Sequence, residues 1–164
     1  MASMMADLTI ASAGRPAELL LVEDNYGDVL LTREAFRSAR ISNNLAVAGD
    51  GEQALAMLRR EGAFGSQPRP DLILLDLNLP RLDGREVLTA IKGDPELMRI
   101  PVIVLTSSKA DIDILKSYEL QANGYIVKPV TFDRLQEIVA SLETFWFSVV
   151  VLAPNLLRER SDAA

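Results

Sequence analysis

The chain has 164 residues, of which 49% are hydrophobic and 24% charged, and its formal net charge is -6 at pH 7. These values predict one globular domain with a real core and argue against DNA binding, because phosphate contacts need clustered Lys and Arg. The chain contains no cysteine and no histidine. These absences exclude disulfides, thiolate nucleophiles, Ser-His-Asp catalysis and zinc sites built from Cys or His.

The two ends of the chain differ in composition from its middle. Residues 1–17 are small and polar, without a basic start or an apolar stretch, so they predict a flexible tail rather than a signal peptide. No stretch is apolar enough over sufficient length to predict a transmembrane helix, and we expect a cytoplasmic protein. Residues 18–147 are expected to form the domain, and residues 148–164 a C-terminal extension and tail.

Short apolar runs alternate along the chain with segments of helical periodicity. The runs predict buried strands at residues 18–22, 45–48, 72–75, 100–105 and 124–127. The helices are predicted over residues 26–39, 51–60, 84–93, 111–120 and 132–145, with Asn43-Asn44 in a turn and residues 61–70 in a loop. On the first helix, helical spacing indicates a core-facing set of apolar residues, namely Val29, Leu30, Ala35, Phe36 and Ala39.

This alternation determines the expected architecture. Strands that alternate with helices form a parallel sheet covered by helices on both faces, and right-handed crossovers leave few topologies. We predict an α/β fold, a doubly wound five-stranded parallel sheet with strand order 2-1-3-4-5.

Polar residues stand where the predicted strands end. Glu23-Asp24 follow the first strand, Asp76 closes the third, Thr106 follows the fourth and Lys128 the fifth. The carboxyl ends of parallel strands lie at one edge of the sheet, and the first and third strands flank the crevice at the topological switch point. The sequence therefore predicts that these five side chains converge.

Three carboxylates in one crevice repel one another and raise one another's pKa. Lys128 supplies one compensating charge, and Mg²⁺ bound to Glu23, Asp24 and Asp76 would supply the rest. A carboxylate beside a cation and a lysine can attack phosphorus, with Mg²⁺, Lys128 and the Thr106 hydroxyl each contacting one phosphoryl oxygen.

Each of these residues also has a simpler interpretation. Asp76 could begin a turn and cap the next helix, the Glu23-Asp24 pair could cap the first helix, and Thr106 could cap the fourth. Lys128 alone would be a solvated surface lysine, although the Lys128-Pro129 pair is a candidate for a cis peptide that directs the lysine inward.

The five strand-end residues and Pro129, in this order, resemble the receiver domain of two-component response regulators, over roughly residues 18–142. The resemblance implies a flavodoxin-like fold and a partner histidine kinase that phosphorylates Asp76. It further implies that Glu23, Asp24, Asp76 and the Asn78 carbonyl bind Mg²⁺, and that Lys128 pairs with the acceptor carboxylate and the phosphoryl group.

The same resemblance assigns the switch. Thr106 would be the hydroxyl that moves toward the phosphoryl group, and Tyr125 the aromatic residue that turns inward after it. Ser107 matches a small residue that leaves the site open, while Asn78 and Ser108 match positions that tune the lifetime of the phosphoryl group.

Less specific sequence motifs resemble those of one subgroup, the stand-alone regulators of bacterial phytochrome kinases. These motifs are residues 24–29, the Gly- and Pro-rich loop before Asp71, residues 77–81 and Phe145-Trp146-Phe147. The implied partner is a bacteriophytochrome, and the charged tail is too short for a DNA-binding unit. The apolar residues Phe145, Trp146, Phe147 and 149–152 would either pack on the core or join the fourth helix, fifth strand and fifth helix in a homodimer interface.

Two other functions are alternatives to a phosphorylated receiver. A phosphatase of the haloacid dehalogenase type also uses an Asp nucleophile, Mg²⁺ and a Lys, but it needs a second Asp two residues later, where this chain has Asn78. A pseudo-receiver that never accepts phosphate would not need the intact set of Glu23, Asp24, Asp76, Thr106 and Lys128. On the favoured interpretation the protein catalyses only its own phosphorylation and dephosphorylation.

Overall fold

Five parallel strands form the centre of the computed structural model, which describes residues 16–117, 120 and 122–145. The strands are β1 Ala17–Val22, β2 Asn43–Ala48, β3 Leu72–Asp76, β4 Val102–Thr106 and β5 Gly124–Val127. Their order is β2-β1-β3-β4-β5, as predicted. The helices are α1 Tyr26–Arg37, α2 Gly51–Leu58, α3 Gly84–Gly93, α4 Lys109–Ser117 and α5 Phe132–Phe145, with a 3₁₀ turn at Gly62–Phe64.

The strand β3 is buried on both faces, as its unbroken apolar run predicts. Ile73 and Leu75 belong to a core cluster that includes side chains of α2, α3 and α4. Leu72 and Leu74 belong to a second cluster with side chains of α1 and α5. The alternation of successive residues between two cores explains why helices cover both faces of the sheet.

The buried face of the first helix differs from the predicted one. Leu30 was predicted to face the core but is 47% exposed, whereas Thr32 is buried. The Thr32 hydroxyl donates to the backbone carbonyl of Asp28 at 2.7 Å, which satisfies its polar group inside the helix. Because this bond removes the cost of burying a hydroxyl, a polar residue can occupy the inward face.

Other predicted boundaries also differ from those observed, and α1 and α2 each end two residues earlier than predicted, at Arg37 and Leu58. Asn43-Asn44 do not form a turn but begin β2, where they pair in parallel with Ala17 and Glu18. Pairing with β1 therefore overrides the local turn preference of asparagine. The fourth helix begins at Lys109 rather than Asp111, its described residues run to Ser117, and Leu120, the predicted last residue, is not helical.

The residues before 16 and after 145 lie outside the described part of the chain. The predicted N-terminal tail extends one residue too far, because Ala17 is buried in β1, where it pairs with β2. The rest of the tail and the C-terminal extension, including Trp146 and Phe147, stay predictions. Within the described part, no helix has the length and apolar character that crossing a bilayer requires.

Candidate functional site

The acids predicted to converge lie at the ends of the two central strands. β1 ends at Val22, directly before Glu23, and β3 ends with Asp76. The two strands are neighbours, with Val22 opposite Leu75. The side chains of Glu23 and Asp76 are buried, whereas Asp24 is exposed. The sheet thus brings all three carboxylates to one edge, as predicted.

The geometry of these carboxylates suits a divalent cation. One oxygen each from Glu23, Asp24 and Asp76 lies within 4.8 Å of the other two. Carboxylate oxygens are the ligands that Mg²⁺ and similar hard cations prefer, and two of the three are shielded from water. The donor set therefore fits the predicted metal, with room beside the exposed Asp24 for further ligands.

The Lys128 ammonium group joins the acids. Its Nζ lies 2.8 Å from Glu23 Oε2, 3.0 Å from Asp76 Oδ2 and 3.1 Å from Asp28 Oδ2. An ammonium group has three N–H donors, so these three carboxylates use all of them. The Lys128 side chain is only 17% exposed, and the Lys128-Pro129 peptide is cis. A solvated surface lysine is therefore the wrong interpretation.

Burial and charge shift two pKa values at the site. The pKa of Glu23 is raised to about 7, mainly by burial and also by the nearby Asp76 carboxylate, while the hydrogen bond from Lys128 opposes the rise. Burial lowers the pKa of Lys128, but its hydrogen bonds to Glu23 and Asp76 outweigh this and the net shift is upward. Lys128 is thus a permanent cation at neutral pH, and a cation at the metal position would favour ionised Glu23.

The capping interpretations of the acids are wrong, because other residues cap the helices. The Asn25 side chain accepts from Asp28 N at the start of α1, and Asp83 accepts from Arg85 N at the start of α3. Asp76 does take part in a turn, since its Oδ1 accepts from Asn78 N at 2.9 Å. That bond leaves the second oxygen, Oδ2, for Lys128.

Thr106 is fully buried at the end of β4. Its hydroxyl lies 3.2 Å from Asp111 Oδ2 and 3.4 Å from the Ser108 carbonyl, and it accepts from Ser108 N at 3.2 Å. The last contact is a local turn bond rather than a helix cap, because α4 begins only at Lys109. The contact with Asp111 was not predicted.

Tyr125 lies on β5, and its ring is half-buried. Its hydroxyl accepts from Ala122 N at 3.1 Å and is 3.5 Å from the Leu120 carbonyl, while Lys116 Nζ lies 5.5 Å from the ring centroid. The ring is thus held by α4 and by the residues before β5. Its predicted inward turn stays a prediction.

Three further residues of the site were not predicted from the sequence, namely Asp28, Asp111 and Arg85. Asp28 contacts Lys128 from the first turn of α1. Asp111 bridges Thr106 and Arg85. A weak signal existed for Asp28 and Asp111, because each is an acid near the start of a helix that follows a site-bearing strand.

A separate cavity lies away from the carboxylates. An apolar cleft of about 540 Å³ runs between α1 and α5 and is lined by residues at the starts of strands, including Ala17, Leu72 and Pro101. It is at the opposite edge of the sheet from the acids. Its size therefore does not bear on the chemistry of the carboxylates, which lie where the strands end.

Comparison with known proteins matches residues 19–140 to the response regulator receiver domain. Rcp1, a response regulator of Synechocystis sp., is 45% identical over 137 residues, which cover 84% of this chain and 93% of Rcp1. The solved Mn(2+)-bound form of Rcp1 superimposes with a TM-score of 0.71 at 45% identity, over 82% of this chain and 96% of that one.

Two solved phytochrome response regulators are also similar to this chain. The phosphorylated cyanobacterial phytochrome response regulator RcpA has 47% identity and a TM-score of 0.72, over 82% of this chain and 96% of RcpA. The bacteriophytochrome response regulator RtBRR has 44% identity and a TM-score of 0.70, over 78% of each chain. With its sheet order, its strand-end acids and Lys128 in the expected places, this chain belongs to the response regulator receiver domain family.

Proposed function

We propose that this protein accepts a phosphoryl group on Asp76 from a sensor histidine kinase of the phytochrome type, in a reaction that depends on Mg²⁺. The observation that carries the proposal is the buried Asp76 carboxylate, 3.0 Å from Lys128 Nζ and within 4.8 Å of the oxygens of Glu23 and Asp24. Its similarity to RcpA, which has been solved in its phosphorylated form, supports the same chemistry.

The transfer uses groups already in place. An oxygen of Asp76 attacks phosphorus and forms a P–O bond, while the P–N bond to the kinase histidine breaks and the leaving nitrogen keeps the electron pair. Lys128 stays protonated and stabilises the charge on the transferred oxygens. When bound at Glu23, Asp24, Asp76 and the Asn78 carbonyl, Mg²⁺ would neutralise further negative charge.

The response to phosphorylation would be a change of surface. Thr106 would donate its hydroxyl to the phosphoryl group, and Tyr125 would turn inward. Both residues belong to the edge formed by β4, β5 and α4, where Ile114 and Val127 are 36% and 37% exposed. This edge, with α5, is the expected surface for the kinase, for a downstream partner or for a second copy of the chain.

Incubation with acetyl phosphate and Mg²⁺, followed by intact mass measurement, tests the proposal. We expect one added phosphoryl group on the wild type and on Asp113→Asn, a control at an exposed carboxylate of α4. Asp76→Asn should add none, and chelation should prevent the addition.

A phosphoryl group on Asp76→Asn would overturn the assignment of the acceptor. If neither acetyl phosphate nor a phytochrome kinase phosphorylates the wild type, the pseudo-receiver function holds instead. Faster transfer from a bacteriophytochrome kinase than from an unrelated histidine kinase would support the proposed partner, and equal rates would count against it. Sustained hydrolysis of an external phosphoester would revive the phosphatase alternative.

A further inference from the structure

The only proton of the Thr106 hydroxyl is already engaged in this structure. The hydroxyl oxygen is 3.2 Å from Asp111 Oδ2 and 3.4 Å from the Ser108 carbonyl, and it accepts a bond from Ser108 N. A carboxylate is a stronger acceptor than a carbonyl and here it is also nearer, so the hydroxyl donates mainly to Asp111. Thr106 is fully buried, and water therefore cannot replace this acceptor.

Asp111 is itself held in place by Arg85. Arg85 Nη2 lies 3.2 Å from Asp111 Oδ1, so each carboxylate oxygen of Asp111 has its own partner. The side chain of Asp111 is only 20% exposed and that of Arg85 is 43% exposed. Arg85 lies in the first turn of α3 and Asp111 in the first turn of α4, so the network joins the starts of two helices.

We propose that Asp111, held by Arg85, is a positioning residue that keeps the Thr106 hydroxyl in its resting orientation and competes with the phosphoryl group for it. The inference rests on the proposed function, in which Thr106 donates to that group. One hydroxyl proton cannot serve both acceptors. A contact that forms only in the resting state lowers the affinity for a ligand that requires the switched state. Asp111 therefore raises the free energy that the phosphoryl group must supply to move Thr106.

The same competition also predicts a structural change at the surface near α4. When Thr106 turns to the phosphoryl group, Asp111 keeps Arg85 but loses its bond to β4. The start of α4 is then no longer tied to the end of β4 through this side chain. Phosphorylation would thus loosen α4 at the edge that the proposed function assigns to partners.

Beryllofluoride with Mg²⁺, a non-covalent mimic of the phosphoryl group, provides the test by isothermal titration calorimetry. Asp111→Ala should bind it roughly fivefold more tightly than the wild type, the low end of common coupling strengths. The control Asp113→Ala removes an exposed carboxylate from the same helix and should leave the affinity unchanged. Damage to the fold would weaken binding, so tighter binding separates positioning from a structural role.

A double-mutant cycle links the effect to Thr106. In a Thr106→Val background, Asp111→Ala should no longer raise the affinity. Arg85→Ala, which frees Asp111 without touching Thr106, should give a smaller gain and serves as the second variant if Asp111→Ala does not fold.

Three results would overturn the inference. These are unchanged or weaker binding by folded Asp111→Ala or Arg85→Ala, an equal gain in Asp113→Ala, and a gain that persists with Thr106→Val. Wild type that binds no beryllofluoride at all would instead overturn the proposed function, and this inference with it.

Discussion

Glu23 shows how the fold changes the chemistry of one side chain. Its burial beside Asp76 raises its pKa to about 7, although Lys128 is hydrogen-bonded to it. The folded protein therefore binds the Glu23 proton more tightly than the unfolded chain does. Its contribution to the free energy of unfolding is fully present below about pH 4.5 and is lost as the pH rises toward 7.

Urea unfolding in metal-free buffer at several pH values measures this contribution. The free energy of unfolding of the wild type, relative to Glu23→Gln, should fall between about pH 4.5 and 7. The fall should be no more than about 3 kcal/mol, since one pKa unit corresponds to about 1.4 kcal/mol. A difference that is constant or grows over this range would contradict the assigned shift.

Lys128 and Thr106 illustrate two uses of buried donors. Lys128 divides its three donors among Glu23, Asp28 and Asp76, so it stays oriented when any one acid turns to another ligand. Thr106 has one donor, so its hydroxyl could donate to a new acceptor only by releasing its present one. The lysine is thus suited to hold a position, and the threonine is suited to switch.

At the scale of elements, the start of α3 passes very close to the end of β3. A Cβ added to Gly84 would contact the Asp76 carbonyl oxygen and lie 2.5 Å from Leu77 Cα, both of them backbone atoms that cannot rotate away. The absence of a side chain at Gly84 therefore allows the helix to approach the strand end that carries Asp76.

Gly84→Ala should lower the free energy of unfolding by about 1–3 kcal/mol, the usual cost of overpacking, and should slow phosphorylation of Asp76. Gly93→Ala is the matched control, because a Cβ there meets nothing within 4 Å. It should change stability by less than about 1 kcal/mol, and in the stabilising direction, because alanine is the better helix former. Thermal melts and acetyl phosphate kinetics of both variants check this, and equal behaviour would contradict the close approach.

At the scale of the whole molecule, the acidic crevice exists only when β1 and β3 pair. A cation that binds this crevice must stabilise the folded state, by about 2.7 kcal/mol at a hundred times its Kd. Millimolar Mg²⁺ should therefore raise the Tm of the wild type by several degrees. The increase should shrink in Asp24→Asn and persist in Glu86→Gln, an exposed acid in the first turn of α3. A Tm insensitive to Mg²⁺ would count against a metal site.

Much of the fold followed from local patterns. The alternation of apolar runs, such as that of β3, with helical segments predicted the sheet order and the edge where Asp76 lies. The errors came where tertiary contacts outweigh local preference. Asn43 and Asn44 pair with β1 rather than turn, and the hydroxyl of Thr32 finds a carbonyl while Leu30 faces solvent.

The sequence by itself determined which residues meet, because parallel strands place their carboxyl ends at one edge, and β1, β3, β4 and β5 each end at or directly before a polar side chain of the site. Glu23, Asp24, Asp76 and Lys128 could therefore be named from their positions along the chain. Only the tertiary structure decided what else reaches them. Asp28 and Asp111 contact the site from helices, and the direction of a helical side chain depends on how the helix packs on the sheet, which sequence spacing does not specify.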